Sequence, residues 1–101
     1  MIEKQISLES VVAINNDAVS RELEGEVVIL NLQSGTYFGL NEIGTRIWAL
    51  IQEHGSLRRA FEVMQAEYEV APQELETDIL QLVDQLHSKG LVSVAQPQEQ
   101  K

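Results

Sequence analysis

The sequence predicts an α+β domain in which short antiparallel strands come first and three helices follow, and three observations predict it. A β-branched run from Glu26 to Leu32 (EVVILNL) is followed by the polar turn QSG and the extended segment TYFGL, which is a hairpin pattern. From Asn41 onward, apolar residues recur at helical spacing in three stretches separated by start and stop residues. A last apolar scrap, LVSV, follows Gly90 and has the length of a short terminal strand.

Taken in order, SVVAIN (10 to 15) and AVSREL (18 to 23) flank Asn16-Asp17 and read as two short strands or one bent strand. In the run 26 to 32, Val28, Leu30 and Leu32 share one face, and Val27, Ile29 and Asn31 share the other. Within TYFGL, Gly39 interrupts an otherwise apolar strand; a strand glycine marks a bulge, a bend or the close approach of another backbone. Asn41 reads as the N-cap of the first helix, with Glu42 at the positive end of its dipole. That helix carries Ile43, Ile47, Trp48, Leu50 and Ile51 as one stripe and ends before Gly55. Ser56 caps the second helix, whose apolar residues are Leu57, Ala60, Phe61, Met64 and Tyr68. Pro72 suits the first turn of the third helix, which shows Leu75, Ile79, Leu82, Val83 and Leu86 on one face and stops at Gly90. Residues 1 to 95 are expected to form a single domain, and the polar tail QPQEQK at 96 to 101 to be disordered.

Composition removes several function classes. A chain of 101 residues, 44% hydrophobic with mean hydropathy -0.12, holds one core and no apolar run of membrane-spanning length. The N-terminus MIEKQISLES has an acid at Glu3 and no apolar centre, so a secretory signal is not expected and cytoplasmic residence is. With no Cys and two His, neither a disulfide nor an ordinary zinc site can be built. His54 and His87 stand near helix ends without neighbours that suggest a base or a ligand. No nucleophile-elbow, phosphate-loop, zinc-protease or dinucleotide motif is present, so a non-catalytic protein without cofactor or metal is expected.

Strands, three helices and a terminal strand are the layout of a winged helix-turn-helix, which raises DNA binding. Charge opposes it: the chain has 16 acidic against 7 basic residues, a net charge of -9. The third helix would have to enter the major groove, and it carries Glu74, Glu76, Asp78 and Asp84 with no base before Lys89. Four acids on that element repel phosphates, and neither nucleic acid nor an anionic membrane is an expected partner.

The hairpin VVILNLQSGTYFGLN, the helix start LNEIGTRIWALI, the spacing to DILQLVDQL and the close at KGLVSV together resemble the PqqD family over residues 11 to 94. Members of that family are winged-helix-like recognition domains for the leader segments of ribosomally made, modified peptides. The resemblance implies a small non-catalytic peptide chaperone that takes the leader as an added strand beside its third β-strand, against its third helix. It implies presentation of the peptide to a partner enzyme, such as a radical-SAM maturase or a leader peptidase. The branch serving pyrroloquinoline quinone synthesis has a Pro before the hairpin turn and a Cys in the first helix. Here those regions read NLQSG and RIWALI, which points to another peptide pathway.

The residues support the same idea by their own chemistry. If strand order follows chain order, TYFGL lies at a sheet edge, and it lacks the Lys, Pro or inward charge that protects an edge from pairing. The candidate peptide-binding residues are therefore Thr36, Tyr37, Phe38, Gly39 and Leu40 on the strand, with Leu75, Asp78, Ile79, Leu82 and Val83 on the helix. Leu80 falls about 140° from Leu75 at about 100° per residue, off the core stripe, and is either a further groove side chain or an exposed leucine. Tyr37 and Phe38 point to opposite faces, so one can be core and the other groove. On this reading Gly39→Val spares the fold and crowds the groove. The alternative is a protein–protein adaptor without a peptide ligand, its edge covered by an enzyme or a second copy; a monomer or weak dimer is expected for the peptide-binding form.

Overall fold

Residues 6–95 are described by the computed structural model, which orders them as β1 (Val11–Ile14), β2 (Ala18–Leu23), β3 (Glu26–Asn31), β4 (Tyr37–Gly39), α1 (Glu42–His54), α2 (Leu57–Glu67), α3 (Pro72–Ser88) and β5 (Val92–Ala95). The expected α+β order is present, including the terminal strand. The expected tail at 96 to 101 lies outside the described residues.

The strands form two sheets, not one. β2, β3 and β4 pair antiparallel in chain order, while β1 leaves this sheet and pairs with β5. The cause is the turn at Asn15: its carbonyl accepts the Ala18 N–H at 3.0 Å, and its own N–H donates to Leu91 O at 3.1 Å. Pairing with β5 brings Val12 opposite Val94 and buries both, together with Val92. β2 and β3 meet at a two-residue turn, Glu24-Gly25, with φ of 55 and 84; this mirror-image turn matches the strand twist and favours Gly.

The β3–β4 connection depends on Asn31. Its Oδ1 accepts the N–H groups of Gln33 (2.9 Å) and Ser34 (3.2 Å), and its Nδ2 donates to Lys89 O at 3.0 Å. A buried amide is thus satisfied while the hairpin turn is tied to the end of α3. The other end of the hairpin is held as well: Val27 N–H donates to Thr45 Oγ1 at 2.9 Å, joining the start of β3 to α1.

Each helix starts and stops on the residues expected. Asn41 Oδ1 accepts Gly44 N–H at 2.8 Å, and Ser56 Oγ accepts Arg59 N–H at 3.2 Å. Gly55, at φ 72, closes α1 by donating to Ile51 O at 2.9 Å. Pro72 occupies the first turn of α3. Ile47, Trp48, Leu50 and Ile51 from α1, Leu57, Ala60 and Met64 from α2, and Leu75, Ile79, Val83 and Leu86 from α3 meet Val27 and Ile29 in one core. Truncating one of these, Ile79 for instance, costs about 2–5 kcal/mol.

Candidate functional site: an open strand edge beside a helix groove

β4 pairs only with β3, so its second edge is unpaired among the described residues. Leu40 N–H donates to Val27 O at 2.8 Å and Asn31 N–H donates to Thr36 O at 2.9 Å. In an antiparallel ladder, alternate residues bond inward. Thr36, Phe38 and Leu40 therefore serve β3, and Tyr37 and Gly39 aim their N–H and C=O groups at the free edge.

A groove lies beside this edge. Its walls are Asn41, Ile43, Gly44 and Ile47 from the start of α1 and Asp78, Gln81, Leu82 and Gln85 from α3, enclosing about 320 Å³. The α3 residues follow helical spacing along one face, and Lys89 extends it by one turn. β4 is tied to both walls of the groove. It runs through Leu40 into Asn41, which lines the α1 wall, and the Phe38 ring lies 5.9 Å from Nζ of Lys89, the C-cap of α3. A Cβ at Gly44 would stand 3.3 Å from both Asn41 Oδ1 and a Leu40 side-chain carbon, so glycine lets the strand pass close over α1.

The structure divides the candidate residues. Tyr37, Phe38, Gly39, Asp78 and Leu82 stand at the edge or in the groove, with Thr36 exposed at the start of the strand. Leu40, Leu75, Ile79 and Val83 are core side chains, the last two fully closed to solvent, and shape the groove from beneath without lining it. Helical periodicity identified their stripe correctly but could not tell its buried centre from its open flank. The flank supplies Gln81 and Gln85, which the sequence reading passed over as polar; Ile43, 38% exposed, belongs to the groove and not to the core stripe. Leu80 is not in this groove: it packs half-buried against the core and, with Ile6, lines a separate cavity that also includes Thr77, Asp84 and His87. Ile6 is the signal that was missed, since an apolar residue ahead of the first strand had no assigned partner.

Gly39 also reads differently in three dimensions. Its φ is not positive, and nothing lies within 4 Å of the position its Cβ would take. Neither a bend nor crowding within the chain requires it. Because it pairs with Val28 and alternates with the inward Phe38, its missing side chain points away from α3, so a substitution there would not crowd the α3 groove as expected.

The electrostatics leave few free cations. Arg46 makes a two-pronged contact with Glu67 at 2.9 and 2.5 Å, Arg58 pairs with Glu9, and Arg59 lies 3.6 Å from Glu62. The hydrogen bond from Arg46 holds the Glu67 carboxyl below its ordinary value, and the same contact raises Arg46. The one cluster of arginines in the sequence is therefore matched by acids, and no basic face for phosphates is left on α1 or α2. Among the described residues Asp78 and Lys89 make no ion pair, no group of side chains could hold a metal, and no helix is long and apolar enough to cross a membrane.

A strand-led, winged-helix-like domain whose β4 edge lies open beside a helix groove has the architecture of a β-augmenting binding module. The family described as "Coenzyme PQQ synthesis protein D (PqqD)" matches residues 26–92, and the chain belongs to that family. Among solved structures it is similar to the protein described as "TbiB1 in Complex with the TbiA(beta) Leader Peptide", with 38% identity and a TM-score of 0.75 over 79% of this chain and 93% of that one. It also shares the fold of "Lasso peptide synthetase B1 complexed with the leader peptide", with 24% identity and a TM-score of 0.74 over 81% of this chain and 96% of that one. No curated protein matches the sequence.

Proposed function

We propose that this protein binds the leader segment of a ribosomally made precursor peptide by strand addition to β4, the third strand of the β2–β3–β4 sheet, and presents the remainder to a peptide-modifying enzyme or leader peptidase. The observation that carries the reading is the pair of outward main-chain sites, Tyr37 and Gly39, on an unpaired edge beside the α1–α3 groove. Main-chain pairing supplies affinity with little sequence preference. Selectivity comes from leader side chains that enter the groove, where Ile43, Ile47 and Leu82 offer apolar contact and Gln81 and Gln85 offer amides. Asp78 near one end and Lys89 beside Phe38 near the other are available for leader charges of opposite sign.

The relative at 38% identity, whose description places it in a complex with a leader peptide, supports the same role. In this reading residues 1 to 95 act as one non-catalytic, cytoplasmic domain, monomeric or weakly dimeric, that requires no cofactor. The departures at NLQSG and RIWALI assign it to a peptide pathway other than pyrroloquinoline quinone synthesis.

The test is an amide-shift titration with a synthetic leader segment of a candidate precursor peptide. Shifts are expected at 36 to 40 and along 78 to 89. A saturating leader that moves neither segment defeats the reading.

A further inference from the structure

The wall that α3 offers to a strand on the β4 edge has a chemical order along its length. At about 100° per residue, Asp78, Leu82, Gln85 and Lys89 lie within about 60° of one another on the helix surface. In N-to-C order this stripe is acid, leucine, amide and base, and Glu74, one turn before Asp78, repeats the acid. Asp78 and Lys89 stand about 17 Å apart along the axis at about 1.5 Å per residue. Among the described residues the three arginines of α1 and α2 are matched to acids elsewhere, and Glu74, Asp78 and Lys89 make no ion pair. Both ends of the stripe keep their charge for a ligand.

The direction of β4 converts that order into a leader pattern. β4 passes α3 in the opposite sense, because Phe38 lies at Lys89 while Asn41, beyond the strand end, shares the groove with Asp78. A strand added antiparallel to β4, as the other pairings of this sheet are, therefore runs in the same direction as α3. Phe38 bonds inward to β3, so the leader residue opposite it forms the closer, non-hydrogen-bonded kind of pair with its side chain on the Phe38 face. That side chain meets Lys89 Nζ, 5.9 Å from the ring. Two residues earlier, the leader side chain stands opposite Leu40 and faces Leu82 and Ile43. Two earlier again, it passes the end of β4 toward Asp78. These three positions cover about 13 Å of extended chain, and the reach of long side chains closes the distance to both charges.

We infer that the peptide taken by this groove carries a base, an apolar residue and an acid at alternate positions in N-to-C order, facing Asp78, Leu82 and Lys89 respectively. The inference rests on the leader-binding reading and names the class of leader it takes. The two charged ends lie about two Debye lengths apart at physiological salt, so each acts by itself. Exposed pairs of this kind add little affinity. What they add is direction and register, which main-chain pairing alone leaves loose: a slip of two residues sets a charge against Leu82, and a reversed chain meets like charge at both ends.

The probes are two capped synthetic peptides, Thr-Lys-Thr-Leu-Thr-Glu-Thr and its reverse, Thr-Glu-Thr-Leu-Thr-Lys-Thr, titrated onto the full chain with amide shifts as the readout. They share composition, net charge and strand propensity, and differ only in order. The first is expected to bind roughly fivefold more tightly at low salt, with the preference shrinking as salt is raised. Glu74→Gln with Asp78→Lys and Lys89→Glu reverses the wall at exposed positions and is expected to prefer the second peptide. Lys89→Glu alone makes both ends acidic and is expected to erase the preference. A wild-type preference for the second peptide overturns the inference, as does a preference for the first that persists in either variant. Equal binding of the two peptides with shifts at Tyr37 and Gly39 overturns the charge order and leaves strand addition standing. If neither peptide moves an amide the charge order is again overturned, and the leader-segment titration decides separately whether the leader reading falls with it.

Discussion

Gly39 and Asn31 carry opposite lessons at the scale of single residues. Gly39 is chemically unremarkable in the fold: its backbone is ordinary extended strand and its Cβ direction is empty. Gly39→Val is therefore expected to leave thermal stability within about 1 kcal/mol of wild type, on the stabilising side, because a β-branched residue suits an edge strand better than glycine. A larger loss in thermal unfolding would mean that the glycine serves a constraint absent from this geometry. Asn31 looks dispensable in sequence, one polar residue at the end of an apolar run. In the fold it closes the β3–β4 turn with two accepted hydrogen bonds and fastens that turn to Lys89 with a donated one. Asn31→Ala is expected to cost about 1–3 kcal/mol in chemical denaturation, since it orphans partners around a buried position. It should also loosen β4 relative to α3, seen as faster amide exchange in the hairpin.

At the scale of elements, β4 combines a short strand with a purely outward-facing set of free groups. Tyr37→Pro removes an N–H that points to the free edge, and proline is tolerated on edge strands in that orientation. The expected outcome is a folded protein with a normal far-ultraviolet spectrum whose leader affinity falls roughly three- to tenfold, the worth of one main-chain hydrogen bond. A fall of that size without loss of fold separates strand addition from side-chain docking alone. The Arg46–Glu67 contact links α1 to α2 at the surface. Because Arg46 lowers the Glu67 pKa in the folded state, the contact contributes above the ordinary carboxyl value of 4.5 and is lost as pH falls through the lower folded value. The stability difference between wild type and Glu67→Gln should thus be present at pH 7 and shrink below pH 4.5 in urea titrations at each pH. Both elements show what sequence can and cannot reveal. The hairpin, the caps at Asn41 and Ser56, Pro72 and the stops at Gly55 and Gly90 were legible because each rests on local chemistry within a few residues. The pairing of β1 with β5 was not, since it joins Val11 to Ala95 and no pattern in either strand names its partner. For the same reason the groove was only half legible: periodicity places Leu82 and Val83 side by side on one stripe, and only packing reveals that Leu82 borders the groove while Val83 is sealed.

Across the whole molecule, the site joins parts that the chain order keeps far apart. The hairpin is held to α1 through Val27 and Thr45 and to α3 through Asn31 and Lys89, and the groove between those helices lies beside its free edge. A leader strand hydrogen-bonded to β4 and packed on α3 would add a third connection between sheet and helices, and would do so only in the folded state. Binding must then stabilise the fold by mass action, by about 2.7 kcal/mol when free leader is at 100 times its Kd. For a domain of this size that corresponds to a rise in Tm of roughly 10 °C or more, although the exact shift follows the affinity at the higher temperature. Hydrogen exchange adds the spatial test: protection should rise at Tyr37 and Gly39, whose N–H groups gain partners, and in the α3 turns from Asp78 to Lys89. Tyr37→Pro at the same leader concentration should show a smaller rise in Tm. A leader that binds with the expected affinity but protects only α3 would place it in the groove without strand addition, and would remove β4 from the mechanism.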